Sequence, residues 1–184
     1  MSRPGHRGRG SSCAVLLQLI RSISGPLVSV HAAGEVVVDV DRPTAFAFLQ
    51  DPSRLSVCIP GCRDVRETAP GRYSAVLTSR VAFMTVSFNA TIQITRLDPP
   101  HAIEATIDGD AVGLAGHVAS TVIVSIADDG PDRTIVRYST DVALTGRLGG
   151  LGHSVFQSTS TRLAREFGEN LKKAIEAQRT QPRA

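Results

Sequence analysis

The sequence contains no tryptophan, only two tyrosines and six phenylalanines, although hydrophobic residues make up 42% of its 184 positions. An interior drawn from this composition has to be aliphatic, and the length suffices for one domain with a sizeable core. No run of 18 or more apolar residues occurs, so no segment reads as a membrane-spanning helix. Cysteine is scarce. Cys13, Cys58 and Cys62 are an odd set, which gives no disulfide framework and points to a reducing compartment, read here as the cytoplasm. Acid is missing from residues 1–33, which carry Arg3, Arg7, Arg9 and Arg21. Subtracting those four charges from the net +3 leaves −1 for residues 34–184, so the basic excess belongs to the N-terminal stretch alone. With no interleaving of aromatic and basic residues, the composition argues against nucleic-acid binding.

Catalytic and metal motifs are missing too. His6, His31, His101, His117 and His153 form no HExxH or His-x-His pattern, and Cys58 and Cys62 have no neighbouring histidine to complete a zinc set. Ser154, Ser158 and Ser160 lie outside any nucleophile-elbow context. The run Gly146–Gly152 (GRLGGLG) stands between a strand and a helix, where a phosphate loop would sit. Its third glycine position is Val155 and no Gly-Lys-Ser/Thr follows, so it reads as a flexible joint. Asp108 and Asp110 flank Gly109 in an apparent loop, Asp108–Gly116, and Glu104 and Asp141 lie in strand-like runs that nothing marks out.

What is present is a regular order of elements. Residues 1–12 are rich in Gly and Arg, and Cys13–Ile20 is an apolar run of eight that Arg21 ends. A secretory signal with cleavage near Val30-His31-Ala32 competes with a loosely attached arm or an upstream extension, and the arm is preferred. Residues 1–33 are accordingly assigned to a basic flexible arm, 34–178 to the folded domain and 179–184 to a disordered tail. Gly34–Val40 reads as a strand, Thr44–Leu49 as a short helix and Asp51-Pro52 as the start of another. Cys58-Ile59-Pro60-Gly61-Cys62 is a compact turn. The period is then two: Tyr73–Val81, Val86–Leu97, Ile103–Ile107, Val118–Ala127 and Thr134–Leu144 read as antiparallel strands joined by tight turns. Last, Leu148, Leu151, Val155, Thr159, Leu163, Phe167, Leu171 and Ile175 recur every three or four residues, one face of a helix of roughly 30 residues.

The fold class is therefore α+β: a curved antiparallel sheet of about seven strands wrapped round a long C-terminal helix, with two short helices after strand 1. Because His153–Thr161 (HSVFQSTST) is small and polar for a helix over a core, a cavity is expected beneath it. Its expected lining is Ile59, Pro60, Phe83, Phe88, Leu114, His117, Tyr138, His153, Phe156, Gln157 and Ser160. An enzyme acting on an aromatic or polyketide-like substrate, as a cyclase or hydratase, would need an acid, His or Tyr in that cavity, and Tyr73, Tyr138, His117, His153 and Glu104 are the candidates. Ser158→Leu is expected to abolish ligand binding at little cost in stability.

Asp51-Pro52-x-x-Leu55-x-x-Cys58-Ile59-Pro60-Gly61-Cys62 resembles the signature of the CoxG family, named for the G subunit of carbon monoxide dehydrogenase. So do Leu97-Asp98-Pro99-Pro100, the Gly109…Gly113…Gly116 loop and Gly146-x-Leu148-x-x-Leu151-Gly152. The resemblance spans about residues 34–178. It implies the helix-grip, START-like fold of the polyketide-cyclase-like superfamily (SRPBCC), with a hydrophobic cavity for a lipophilic ligand. It also implies service to a molybdenum hydroxylase of the CO dehydrogenase type, with a quinone- or lipid-like molecule bound non-covalently and no metal. Peripheral membrane contact is then expected through Cys13–Ile20 and the preceding arginines, there being no apolar C-terminal anchor. A homodimer is left open.

Overall fold

A computed structural model describes residues 27–179 of the chain; the arginines of the arm, Cys13–Ile20 and the last five residues lie outside the described residues. The strands are β1 (Val28–Val38), β2 (Cys62–Ala69), β3 (Arg72–Val81), β4 (Met84–Asp98), β5 (Ala102–Ala111), β6 (Gly116–Asp128) and β7 (Thr134–Gly146). The helices are α1 (Arg42–Leu49), α2 (Pro52–Ser56) and α3 (His153–Arg179), with a 3-10 turn at Gly149–Leu151. All seven strands form one curved antiparallel sheet in the order β1-β7-β6-β5-β4-β3-β2. Each strand from β2 to β7 is hairpin-linked to the next, as short connections favour. β1 closes the order by pairing with β7 from Val28↔Leu144 to Val38↔Thr134.

Four boundaries differ from those expected. β1 begins at Val28, not Gly34, so Val30-His31-Ala32 is strand and not part of an arm. β2 has no counterpart in the sequence reading: Cys62–Ala69 (CRDVRETA) is an exposed edge strand whose charged side chains suppress both the apolar signal and edge-to-edge pairing. β5 runs on to Ala111, so Asp108 and Asp110 are strand residues. α3 begins at His153, because Gly152 holds a positive φ of 89° that no helix continues through. Leu148 and Leu151 precede the helix.

Two packed clusters support the sheet's inner face. One joins Phe46, Phe48 and Leu49 of α1, Cys58, the inward residues Val38, Ile103, Val124, Ile126 and Val136, and Leu171 and Ile175 of α3. The other joins Val30, Val81, Val86, Phe88, Leu144 and Leu148 to Phe156 at the start of α3. The quoted sequence motifs build the joints between elements. Asp51 caps α2, accepting from the amides of Ser53 and Arg54 at 3.0 and 3.3 Å. Ile59-Pro60-Gly61-Cys62 is a tight turn closed by a 3.1 Å bond from the Cys62 amide to the Ile59 carbonyl. Gly61 has φ 75° and is pressed against the Thr78 backbone. Asn170 of α3 donates to the Cys58 carbonyl at 3.3 Å, tying the long helix to this turn. The glycine-rich run after β7 seats Leu148 against Gly116, where a β-carbon would come within 2.7 Å of the leucine.

Candidate functional site

Register and period two decide which side chains face α3. Paired residues share a face, so the inner face at the middle of the sheet carries Ala32 and Gly34 (β1), Tyr138, Thr140 and Val142 (β7), and Val118, Ser120 and Val122 (β6). Ala105, Ile107 and Gly109 (β5) and Ala90, Ile92 and Ile94 (β4) continue it. On α3, Phe156, Ser160, Leu163, Phe167, Leu171 and Ile175 follow one another at helical spacing. The two clusters take the ends of this layer and reach into its middle, the first to Val122 and Tyr138 and the second to Val118 and Val142. Ile92, Ile94 and Ile107 face inward yet are only half-buried, and neither cluster includes them; the same holds for Leu163 opposite. Four large aliphatic side chains on facing elements are thus half-buried and outside both clusters.

The helix packs closely along β1 on one side and borders an open cleft on the other. Toward β1, Tyr138 acts as a bracket: its hydroxyl donates to the Ala164 carbonyl at 2.8 Å and its ring meets Phe167 edge-on at 4.8 Å. Gly34 and Gly168 leave the room for that ring and hydroxyl, since a β-carbon on either would collide with them. Gln157 adds a 2.8 Å bond to the His31 carbonyl. Toward β3, an open cleft of about 480 Å³ lies between α3 and the end of the strand, lined by Arg80, Ala82, Ser158, Thr159 and Arg162. Arg162 spans its edge, held by Glu166 at 3.0 Å and donating to the Arg80 carbonyl at 3.4 Å.

The polar groups of the inner middle are hydroxyls. Ser120 Oγ and Thr140 Oγ1 are 2.6 Å apart and part-buried, with Ile107 and Val142 across from Ser120 and Val122 and Ala32 across from Thr140. Ser79 Oγ on β3 is buried without a hydrogen-bond partner, but it lies among the residues of the Phe156 cluster, three strands away. Among the described residues no group of three or more His, Cys, Asp or Glu is placed to hold a metal.

The residues expected to line the cavity divide. Tyr138 and Ser160 face the middle of the layer. Phe88 and Phe156 are buried in the second cluster, and Leu114 packs on it. Ile59 and Pro60 form the turn before β2, and Gln157 is committed to His31. Three placements are corrected. Phe83 is 84% exposed at the tip of the β3–β4 hairpin, because the two-residue turn at Ala82-Phe83 points it away. His117 is on the outer face, paired with Asp110 across β5 and bonded to Asp110 and Asp108 at 3.0 and 3.1 Å. His153 is exposed at the first turn of α3. Of the other enzyme candidates, Glu104 pairs outside with Arg96 at 3.0 Å. Tyr73 is raised in pKa by burial and then by the Glu67 carboxylate directly across from it. Burial also raises the Tyr138 hydroxyl and pushes the Cys58 thiol up to about 11.

The family model for the G subunit of carbon monoxide dehydrogenase (CoxG) matches residues 34–176. No curated protein sequence matches the chain significantly. Among solved structures, a conserved protein from Geobacillus kaustophilus superposes with a TM-score of 0.73 at 21% identity, over 81% of this chain and 97% of its own. The Zhui aromatase/cyclase from Streptomyces sp. R1128 gives 0.60 at 16% identity, over 82% and 95%. Norcoclaurine synthase from Thalictrum flavum, solved with dopamine and hydroxybenzaldehyde, gives 0.56 at 12% identity, over 100% of each chain. The fold is the helix-grip fold of the polyketide-cyclase-like proteins.

Proposed function

The chain belongs to the carbon monoxide dehydrogenase CoxG family, and from that premise we propose that it is a binding protein and not a catalyst. It encloses a lipophilic, quinone- or lipid-like molecule between sheet and helix and serves a molybdenum hydroxylase of the CO dehydrogenase type. The observation that carries the reading is the set Ile92, Ile94, Ile107 and Leu163. These are inward-facing, half-buried and outside both packed clusters. Each such half-buried side chain leaves unrealised about half of the roughly 1.5–3 kcal/mol that full burial is worth, which an apolar guest would recover. The cleft beside Arg80 and Arg162 is the mouth.

The cyclase or hydratase reading has less behind it. Its His and Glu candidates are exposed or ion-paired on the outer face, Tyr138 is committed to the Ala164 carbonyl, and Tyr73, across from Ile92 on the inner face, is hydrogen-bonded to Glu67. The carrier reading predicts that full-length protein, analysed by native mass spectrometry after purification from cells that make quinones, carries an extra mass that organic solvent removes. Protein of bare sequence mass that also fails to take up an added short-chain quinone would overturn it. The hydroxylase should be retained by the immobilised chain; a hydroxylase that washes through would remove that partner. No helix among the described residues is long and apolar enough to cross a membrane.

A further inference from the structure

We propose that Ser120 and Thr140 form the polar anchor of the ligand site, and that the ligand is a neutral molecule presenting a carbonyl or hydroxyl oxygen to them. The inference rests on the carrier reading and specifies its chemistry. The two hydroxyls sit side by side at 2.6 Å on adjacent strands, on the inner face, at the level of Ile107. A pair of hydroxyls satisfies one donor with one acceptor. The accepting hydroxyl keeps its own proton, and both oxygens keep lone pairs. The neighbouring inward residues, Ile107, Val122, Val142 and Ala32, offer the remaining proton no side-chain acceptor. A part-buried hydroxyl proton with no side-chain acceptor beside it gains from one, so the site favours a guest that supplies an acceptor at that point.

The charge of the guest follows from the same surroundings. Every inward position named at the middle of the sheet is aliphatic, a hydroxyl residue, glycine or the engaged Tyr138. The arginines are at the mouth, Arg80 and Arg162. A carboxylate or phosphate carried to Ser120 and Thr140 would be desolvated with no cation beside it, a far larger penalty than a carbonyl pays. The geometry therefore selects a ketone, quinone, ester or alcohol head with an apolar body lying over Ile92, Ile94 and Ile107.

The test compares two probes of one shape, a decyl-substituted 1,4-benzoquinone and decylbenzene, titrated by calorimetry into the full chain and into the double variant Ser120→Ala, Thr140→Val. Removing both partners together leaves no orphaned hydroxyl, and thermal melts of the variant check its fold. The wild type is expected to bind the quinone about tenfold tighter than the hydrocarbon, the worth of one good hydrogen bond. In the variant that preference disappears while decylbenzene affinity is kept. Equal binding of both probes by the wild type, or an unchanged preference in the variant, would overturn the anchor and leave the carrier reading standing. Failure of both probes to bind the wild type would overturn the carrier reading and the anchor with it. A decylbenzoate binding as tightly as the quinone at neutral pH would overturn the neutral-head assignment. If the double variant does not fold, Ser120→Cys with Thr140→Val, which keeps both side-chain shapes and removes both hydroxyls, carries the same comparison.

Discussion

Single residues in this chain act through the room and the hydrogen bonds they leave to their neighbours. Gly61 is one case: its φ of 75° and the Thr78 backbone against it exclude any side chain. Gly61→Ala should cost on the order of 2 kcal/mol, combining left-handed strain with a backbone collision. Urea denaturation would measure it, and a neutral result would mean the turn rearranges freely. Cys58 is another. It is fully buried, and its thiol is pushed up from 9.0 to about 11 by desolvation. A raised folded-state pKa means that the unfolded chain loses its proton first as pH rises. The stability is therefore fully present below about pH 9 and declines between 9 and 11. In Cys58→Ala the decline should be shallower but not gone, since burial raises Cys62 and Tyr138 as well. Unfolding free energies measured across that pH range would show whether the two slopes differ.

The elements meet through a few shared contacts, of which the bracket between β7 and α3 is the most testable. Gly168 costs the helix about 1 kcal/mol relative to alanine, yet a β-carbon there runs into the Tyr138 hydroxyl. Gly168→Ala should therefore destabilise the wild type, while in a Tyr138→Phe background it should be neutral or stabilising. Gly34→Ala should destabilise in both backgrounds, since its β-carbon meets Cζ and Cε2 of the ring at 2.5 and 2.6 Å and phenylalanine keeps those atoms. Identical effects of Gly168→Ala in the two backgrounds would mean that the tyrosine does not set the helix height. This is also the scale at which the sequence was most and least readable. Alternation placed Ile92 and Ile94 on the buried side and helical spacing placed Leu163 there. The Pro-Gly turn and the Asp-Pro cap stand where their chemistry put them. β2 was invisible because an exposed edge strand of Arg, Asp and Glu carries no apolar period. His117 was misplaced because its face depends on where β6 begins, and the loop boundary at Asp108–Gly116 hid that. Ser158, expected to face the cavity, is exposed at the cleft's rim, so leucine there would act on the mouth and not on the hollow.

At the scale of the whole molecule, the sheet and helix are pinned at both ends and along the β1 side, with an open cleft toward β3, and the carrier reading requires the middle to be unfilled. Periodicity gave the faces of this layer. It could not show that Ile107 would be left half-buried and outside both clusters, because coverage depends on how the Tyr138 bracket and the two clusters hold α3. That unfilled middle is the claim on which the functional reading stands. The most direct measurement is the unfolding free energy of Ile107→Phe beside the wild type. If the side chain enters open space, the stability stays within ~1 kcal/mol of the wild type or rises. If the middle is packed solid, overpacking removes about 2–3 kcal/mol, and the hollow does not exist.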